Sequence, residues 1–357
     1  MILVVLPNEL KKFLAEIEGL GFSLTLVGGA VRDFLGHQQL GNDLDFEISC
    51  VENLSTKDWC LYYKKLLSFL DKQKLKYTEL PYLITRTEYS GFKLEFAGPR
   101  LEQHIADDIT HHHFEAIMIS QLSFEESFKR RDLSINAIGV QFSFKENGEK
   151  LIDPYNGVYD LNHKLIRNIN DDFFLDNVRF LRLLRFQIKF SDFLTSSELT
   201  LNLRKFNLRN LSAYHFTEEL FKSNPGQFLN HFKASVLENG LDIPEDFKIW
   251  TKYNFPNYLK TKDEILGFVF LKDQADAVKV LRFFTMPEKK LRDLESFYKS
   301  YEKLKKLKKD DFYALLSMPI EVALDHEILK ELKNSDEKKE WMGVLRLSKD
   351  DFVLTQL

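Results

Sequence analysis

The chain has 357 residues, enough for two or more packed units. Hydrophobic residues make up 44% of it and charged residues 29%, as in ordinary globular proteins, and no apolar run approaches the roughly 20 residues of a membrane span. The formal net charge of -4 argues against a protein that coats nucleic acid indiscriminately. Two cysteines make no disulfide framework, and the first residues lack the blocks of a signal peptide, which together predict a cytoplasmic protein.

The first 150 residues or so predict a mixed α/β unit. A helix within residues 1–20 leads into a first strand at 23–27. The apolar pattern predicts a helix near 56–74 and further strands at 43–49, 82–88, 92–97 and 135–144.

Residues 101–121 lack a clean period and predict a mobile loop. This segment contains His111, His112 and His113, and a histidine run invites a metal-site interpretation. We favour a solvated loop, because the histidines lack helical i,i+4 spacing and have no cysteine nearby. After about residue 170 heptad-like apolar spacing dominates, so the rest of the chain is expected to be helical. The predicted fold class is α+β, with a mixed-sheet head followed by an all-helical body.

The most informative segment is the strand that carries Asp43 and Asp45. Side chains at i and i+2 of a strand share a face, so the two carboxylates lie side by side and repel each other unless a cation lies between them. Oxygen ligands of this kind suit Mg²⁺. The preceding strand ends in Gly28 and Gly29 and passes into a helix, where backbone N–H groups can meet phosphates. Each feature alone is common, but their order favours a metal-assisted nucleotide site.

Two further segments carry polar clusters. KRRDLSIN, residues 129–136, combines a basic run with an aspartate and an asparagine, which can meet phosphate and sugar hydroxyl groups. Alone, it is a weak signal, and a helix end held by a salt bridge is the favoured interpretation. DPYNGVYDL, residues 153–161, contains turn-forming dipeptides and predicts either a hinge or a rigid turn.

A last cluster begins at Asp176 and continues with Arg179, Arg182 and Arg185. On a helix Asp176 and Arg179 are neighbours. One interpretation is a surface ion pair worth a few tenths of a kcal/mol. The other is a base-selecting edge, because arginine donates and aspartate accepts hydrogen bonds, and such a pair selects a nucleotide without a template.

Five segments, in their order along the chain, resemble the motifs of the class II tRNA nucleotidyltransferases. They are LVGGAVRDFLG, DLDFE, KRRDLSINAIGV, IDPYNGVYDL and DNVRFLRLLRF. These CCA-adding enzymes share their catalytic head with bacterial poly(A) polymerases. The resemblance covers roughly residues 22–190. It implies a polymerase β-like nucleotidyltransferase head at 1–152, a helical neck with the nucleotide-selecting helix at 153–240, and a helical body and tail for tRNA binding at 241–357.

The resemblance also implies roles for single residues. Asp43 and Asp45 would hold two Mg²⁺ ions, and Glu95 would be a supporting carboxylate. Arg100 would begin the flexible loop that helps the enzyme switch from C to A.

Other residues would bind the nucleotide. Asp176 and Arg179 would read the Watson–Crick edges of C and A. The triphosphate, the ribose and the rest of the nucleotide would be held by Gly28, Gly29, Arg32, Arg130, Arg131, Asp132, Asn136, Arg182 and Arg185.

The implied activity is addition or repair of the 3′-terminal CCA of tRNA from CTP and ATP, with release of pyrophosphate. The implied partners are the tRNA 3′ end and these two nucleotides, with no membrane and no obligate protein partner. Because the head is shared, a poly(A) polymerase or an enzyme that adds only CC or A remains an alternative. Leu175 stands where the family usually has glutamate, and the loop 101–121 lacks the expected basic residues, which keeps partial addition open. A catalytically silent RNA-binding relative is disfavoured, since the metal and nucleotide residues are retained.

Overall fold

The structure is a computed structural model that describes residues 4–37, 40–104, 114–290 and 292. The chain divides into two compact units, Met1–Glu245 and Asp246–Leu357. Within the described part of the chain, no helix combines the length and the apolar character needed to cross a membrane.

The first unit begins with nine strands: β1 (Phe22–Val27), β2 (Asp43–Cys50), β3 (Tyr77–Leu80), β4 (Ile84–Tyr89), β5 (Phe92–Ala97), β6 (Arg100–His104), β7 (Phe114–Met118), β8 (Gly139–Ser143) and β9 (Gly148–Ile152), as far as the structure describes it. Seven of them form a mixed sheet with the order β3-β4-β5-β2-β1-β8-β9. The pair β2–β5 is parallel and the other neighbours are antiparallel. Strands β6 and β7 form a separate antiparallel ribbon.

Helices cover this sheet unequally. The main core lies between one face of the sheet and the helices α1 (Asn8–Gly19), α2 (Gly29–His37) and α3 (Thr56–Lys72). On the other face, α4 (Phe124–Lys129) packs Phe128 beside Val27 and Gly139 at the strands β1 and β8. The part of that face formed by β3, β4 and β5 carries exposed polar side chains, so this face of the sheet stays partly open.

The remaining part of the first unit is largely helical. Phe180 packs in an aromatic cluster with Phe206 and Phe232. A two-residue parallel pair, β10 (Leu165–Ile166) with β11 (Leu194–Thr195), interrupts the predicted all-helical stretch. The helices are α5 (Gly157–Asn162), α6 (Asn177–Lys189), α7 (Ser197–Asn202), α8 (Ala213–Phe221) and α9 (Pro225–Asn239).

The second unit has a helical core of its own. Among the residues of this unit that the structure describes, the helices are α10 (Ile249–Lys252), α11 (Lys262–Lys272) and α12 (Gln274–Phe283). Thr261 and Glu264 form a capping box that satisfies backbone N–H groups at the start of α11. Trp250 is fully buried and packs against Phe283 and Phe284.

The α+β class is confirmed, as are the strands predicted at 23–27, 43–49 and 92–97 and the helix near 56–74. The prediction of one loop over 101–121 is wrong at its two ends, which pair as β6 and β7, while the three histidines lie outside the described residues. The strand predicted at 135–144 begins only at Gly139, because Ser134–Asn136 form a 3₁₀ turn. The edge strands β3 and β9 were not predicted, since neither alternates cleanly between buried and exposed residues.

Candidate active site

The carboxylates of Asp43 and Asp45 lie on the same face of β2. Both residues are exposed, whereas Leu44 and Phe46 are buried on the opposite face. This alternation follows from the two-residue period of the strand. The strand therefore places the two aspartates side by side, as predicted.

The sheet register brings the diglycine turn next to these aspartates. Asp45 lies opposite Val27 of β1 and, on its other side, opposite Glu95 of β5. Since β1 ends at Val27, Gly28 emerges beside Asp45. The turn and the two carboxylates thus meet at one end of adjacent strands.

The electrostatics of the pair favour a bound cation. The pKa of Asp45 is raised, chiefly because the surrounding protein removes water from the carboxylate and further because Glu95 and Asp43 add negative charge. Arg131 and Arg86 act in the opposite direction. A cation between the carboxylates would offset this repulsion.

The candidate metal ligands are the two carboxylates of Asp43 and Asp45. In the described part of the chain, no group of three or more histidine, cysteine, aspartate or glutamate side chains is arranged to hold a metal ion. Mg²⁺ in nucleotide enzymes is usually bound by one or two carboxylates together with substrate phosphates and water. The pair Asp43 and Asp45 fits that pattern.

Gly28 adopts a left-handed conformation, with φ of +76°. Its N–H donates to the carbonyl of Ile138 at 3.0 Å, which ties the turn to the start of β8. A Cβ atom at Gly28 would lie 3.0 Å from Nη1 of Arg131. Glycine is required here both for the backbone angle and for this close approach.

Arg32 of α2 is 5% exposed and is held from several sides. Its Nε donates to Asp33 at 2.8 Å and its Nη1 donates to the Oδ1 of Asn136. The guanidinium lies over the rings of Phe186 and Phe190, at 5.4 and 5.2 Å from their centroids. Burial lowers the pKa of Arg32, while Asp33 counteracts that effect, so the group remains a cation at neutral pH.

Asp132 lies at the centre of a buried hydrogen-bond network. Its Oδ1 accepts from Nδ2 of Asn136 at 2.9 Å and from the N–H of Leu133 at 2.8 Å, and its Oδ2 accepts from Nε of Arg182 at 2.6 Å. Burial alone would raise the pKa of Asp132, but Arg182 and these hydrogen bonds hold it well below its usual range. The carboxylate therefore orients Asn136 and Arg182.

Arg131 and Arg130 make different contacts. Nη1 of Arg131 donates to the carbonyl of Asn136 at 3.2 Å, and its guanidinium lies 5.0 Å from the ring centroid of Phe128. Burial lowers the pKa of Arg131, and Glu47 and Asp45 counteract that effect. The carbonyl of Arg130 accepts from Nη2 of Arg179 at 2.7 Å, which links the basic run to α6.

Asp176 and Arg179 occupy the first turn of α6. Asp176 caps the helix by accepting from the N–H of Val178 at 2.8 Å, and its Oδ2 lies 3.8 Å from Nε of Arg179. Arg179 is only 8% exposed, so this is not the solvated surface pair of the alternative interpretation. Its Nη1 is buried and has no hydrogen-bond acceptor among the described residues. Leu175, just before the cap, is 46% exposed.

A small polar crevice of about 90 Å³ adjoins Arg179. Arg100 and Arg130 also line it, so the first residue of the ribbon β6–β7 lies near the start of α6. Arg185 is directed elsewhere, because it forms an ion pair with the buried Glu219 of α8. The structure therefore brings Arg100, Arg130 and Arg179 together and does not bring Arg185 to them.

The segment 153–161 forms an ordered turn. The carboxylate of Asp153 accepts from the N–H of Gly157 at 2.6 Å. Asp160 is fully buried and accepts from the hydroxyl of Ser134 and, at 2.9 Å, from Nε of Arg167. A Cβ atom at Gly157 would clash with the carbonyl oxygen of Ser134. Of the two predicted alternatives, these contacts favour a rigid turn that supports the 3₁₀ turn bearing Asn136.

Sequence reasoning missed two groups of residues at this site. Arg86 of β4 pairs with Glu95 at 2.6 Å, and Lys93 of β5 lies opposite Asp43. The signal was present, since exposed charged residues alternate with apolar ones in both strands. The other missed group comprises the rings of Phe186 and Phe190 over Arg32, which no local pattern indicates.

Comparison with known proteins finds a known head domain over the same part of the chain. Residues 24–167 match the family described as the Poly A polymerase head domain. The CCA-adding enzyme of Francisella tularensis subsp. novicida (strain U112) is 32% identical over 196 residues, which cover 54% of this chain and 46% of that protein. The multifunctional CCA protein of Acidovorax sp. (strain JS42) is 30% identical over 268 residues, or 70% of this chain and 56% of that protein. The chain thus spans about half the length of these relatives.

Solved structures share the fold. A CCA-adding enzyme in complex with ATP superimposes with a TM-score of 0.59 at 17% identity, covering 94% of this chain and 79% of the other. The Bacillus stearothermophilus CCA-adding enzyme in complex with CTP gives a TM-score of 0.55 at 18% identity, covering 96% and 82%.

The fold and the paired aspartates beside a diglycine turn define a nucleotidyltransferase head. Residues 24–167 match that head domain, and the chain is similar to CCA-adding enzymes, as its motifs predicted.

Proposed function

We propose that the chain adds or repairs the 3′-terminal CCA of tRNA, using CTP and ATP and releasing pyrophosphate. The observation that carries this proposal is the meeting of Asp43 and Asp45 with the Gly28 turn at one end of the sheet. Relatives named CCA-adding enzyme and multifunctional CCA protein support the choice of tRNA and of the two nucleotides. Both cysteines, Cys50 and Cys60, are free thiols, which supports the cytoplasm as the compartment.

The proposed reaction is an in-line displacement at the α-phosphate. The RNA 3′-oxygen forms a bond to the α-phosphorus as the bond to the bridging oxygen breaks. Pyrophosphate leaves with the bonding pair, and the hydroxyl proton passes to solvent. Two Mg²⁺ ions held by Asp43 and Asp45 would supply charge stabilisation for the attacking and leaving oxygens.

The chain's own residues bind and orient the nucleotide in this proposal. The backbone at Gly28 and Gly29, at the start of α2, meets the triphosphate, and Arg32 adds a fixed positive charge. Asp132 sets the position of Asn136 beside it.

The residues that would select the base lie on α6. Arg179 offers a buried donor with no acceptor among the described residues, and Asp176 is an acceptor on the same turn. Together they would distinguish C and A from other bases by hydrogen-bond pattern. In this proposal, the base-reading group of Asp176 and Arg179 lacks the glutamate that the family usually has at position 175.

Product analysis tests the proposed function. The purified chain would be incubated with Mg²⁺ and tRNA ending at the discriminator base, at CC or at CCA, with CTP and ATP singly and together, and the 3′ ends sequenced. Ordered addition of C, C and A that then stops is expected. Long A tracts would instead identify a poly(A) polymerase, and arrest after CC would identify partial addition. No extension of any substrate would refute the enzymatic proposal.

Replacing either aspartate, as Asp43→Asn or Asp45→Asn, should lower kcat/KM by about 1,000-fold, because a lost metal ligand removes several kcal/mol of transition-state stabilisation. The exposed Glu79→Gln on β3 is the matched control and should keep full activity. Near-normal rates in either aspartate variant would refute the site assignment.

The Asp45→Asn variant should also melt at a higher temperature in metal-free buffer. Because the pKa of Asp45 is raised in the folded chain, its ionised form lowers stability at neutral pH, and asparagine removes that cost. Differential scanning calorimetry measures this, and it separates loss of activity from loss of folding.

A further inference from the structure

Three guanidinium groups lie close to the ring of Phe186 on α6. The guanidinium of Arg32 lies 5.4 Å from the ring centroid, that of Arg182 5.6 Å and that of Arg185 4.3 Å. Phe186 is only 3% exposed, and a cation–π contact is strongest where water is excluded. Because Arg32 and Arg182 belong to the candidate nucleotide site, this ring connects the site to Arg185.

Each of the three arginines has a carboxylate partner. The two arginines of the candidate nucleotide site pair with Asp33 and Asp132, which belong to the same site. The third pair joins Arg185 to Glu219 of α8, which lies 34 positions further along the chain. Glu219 is buried and also accepts from Nζ of Lys222 at 3.1 Å. A residue of α8 therefore holds one of the three cations on the ring.

Helix α8 packs in the first unit through apolar side chains as well. Phe216 of α8 packs against Phe232 of α9, and Phe232 packs against Phe180 of α6. Leu220 of α8 is fully buried. Since these contacts already dock the helix, the ion pair of Glu219 adds a fixed position for one guanidinium.

The charge of Glu219 also acts on the other arginines. Burial lowers the pKa of Arg32, and the positive charge of Arg185 lowers it further. The pKa of Arg182 is raised chiefly by Asp132 and also by Glu219. Although burial opposes it, Arg185 holds the pKa of Glu219 below its usual value, so this carboxylate is ionised at neutral pH. Glu219 thus offsets a positive charge that Arg32 would otherwise face.

We propose that Glu219 and Arg185 are positioning residues for the nucleotide. Glu219 holds the guanidinium of Arg185 on the ring of Phe186, which fixes the ring on which Arg32 and Arg182 lie. The inference rests on the proposed function, in which those two arginines bind the nucleotide. Arg185 itself then acts through Phe186 and makes no contact with the nucleotide.

Calorimetry on the full chain tests this proposal, with CTP and ATP each titrated in the presence of Mg²⁺ and without RNA. Glu219→Gln, Arg185→Gln and the double variant should each weaken binding of both nucleotides about 5- to 10-fold, as for one lost cation–π contact. The three losses should be equal, because the two side chains act as one unit. The ratio of CTP to ATP affinity should not change, since the triphosphate is common to both.

The double variant keeps the test decisive if a single variant does not fold. Replacing one member of a buried ion pair leaves the other charge uncompensated, whereas the double variant removes both charges. A folded double variant with wild-type affinity for CTP and ATP would refute the positioning role.

Phe186→Leu tests the route through the ring. In this background Glu219→Gln should change nucleotide affinity by less than about twofold, because the ring that transmits its effect is gone. Its effect on the urea midpoint of unfolding should persist, because the ion pair with Arg185 is still broken. A purely structural role of Glu219 would instead lower affinity by the same factor in both backgrounds.

Glu218→Gln is the matched control, with the same chemical change at the neighbouring residue of α8. Its side chain is 42% exposed and pairs with His215 and Lys222. Because an exposed pair contributes little, both nucleotide affinities should stay within about twofold of the wild type.

The outcomes separate this proposal from the proposed function. If the wild-type chain extends tRNA but the Glu219 and Arg185 variants bind nucleotides normally, the positioning role is refuted and the function stands. Additive losses in the double variant would show that Arg185 contacts the nucleotide directly, which also refutes it. If the wild-type chain extends no RNA yet binds CTP and ATP in a Glu219-dependent way, the proposed activity fails and the positioning role stands. A wild-type chain that binds neither nucleotide refutes both.

Discussion

Asp132 shows how one buried carboxylate joins parts of the site that are distant in the chain. It is 6% exposed and accepts hydrogen bonds from Asn136 and Arg182. Asn136 in turn accepts from Arg32 of α2, and Arg182 belongs to α6. Removing one partner of such a buried charged pair leaves the other charge uncompensated, so the network is sensitive to single substitutions.

Asp132→Asn should therefore destabilise the chain by about 3–5 kcal/mol, the range for breaking a buried pair, as measured by urea unfolding. The matched control is Asp192→Asn, because Asp192 pairs with Lys164 at an exposed position and should cost less than about 1 kcal/mol. Equal losses in the two variants would contradict a central role for Asp132.

The loss of stability caused by Asp132→Asn should depend on pH. The pKa of Asp132 is lower in the folded chain than its ordinary value of 3.8. Its contribution to stability is therefore complete above that ordinary value and is lost as the pH falls from there towards the folded pKa. The stability difference between wild type and Asp132→Asn should shrink below about pH 4. A difference that stays constant from neutral to acid pH would show that the charge of Asp132 is not its cause.

At the scale of elements, side chains of α2 and α6 are in direct contact. Arg32 of α2 lies over Phe186 and Phe190 near the end of α6, and Asp33 accepts from Nζ of Lys189 at 3.0 Å. The helix that starts at the diglycine turn is thus packed against the helix that starts at Asp176. Movement of α6 would change the position of Arg32.

Phe190→Leu should loosen Arg32 and raise KM for CTP and ATP alike, by about 3- to 10-fold, because a cation–π contact of about 1 kcal/mol is weakened. Steady-state kinetics with each nucleotide measures this. Phe206→Leu is the control, since Phe206 is equally buried but packs against Phe173, Phe174 and Phe180. An unchanged KM in Phe190→Leu, or a change for only one nucleotide, would refute the proposed positioning of Arg32.

At the scale of the whole molecule, the candidate site belongs to the first unit alone. Every predicted site residue lies between Gly28 and Arg185, and the ion-pair partner Glu219 also precedes the unit boundary at Glu245. The second unit has its own buried centre, where Asp276 accepts from Tyr253 at 2.6 Å and from Lys279 at 3.0 Å. Surrounding donors hold the pKa of Asp276 at about 2 although burial opposes this.

A chain consisting of residues 1–245 should therefore bind CTP and ATP with affinities within about threefold of the full chain, since a factor of three is well under 1 kcal/mol. Isothermal titration calorimetry measures the affinities, and far-ultraviolet circular dichroism checks that the shorter chain is folded. Loss of nucleotide binding in a folded 1–245 chain would show that the second unit contributes to the nucleotide site.

The sequence by itself determined the local geometry of the site. The two-residue period of a strand places Asp43 beside Asp45, the helical period places Asp176 beside Arg179, and the left-handed turn needs Gly28. The α+β order of elements was also readable, because hydrophobic periodicity depends only on neighbouring residues.

Only the tertiary structure decided which distant segments meet. Sheet register placed Lys93 and Glu95 beside the two aspartates, and packing joined Asp132 to Arg182, 50 positions along the chain. It also turned Arg185 towards Glu219 and paired the two ends of the expected loop as β6 and β7. Such contacts depend on strand order and on burial of faces, which are properties of the whole fold and leave no periodic signal in the sequence.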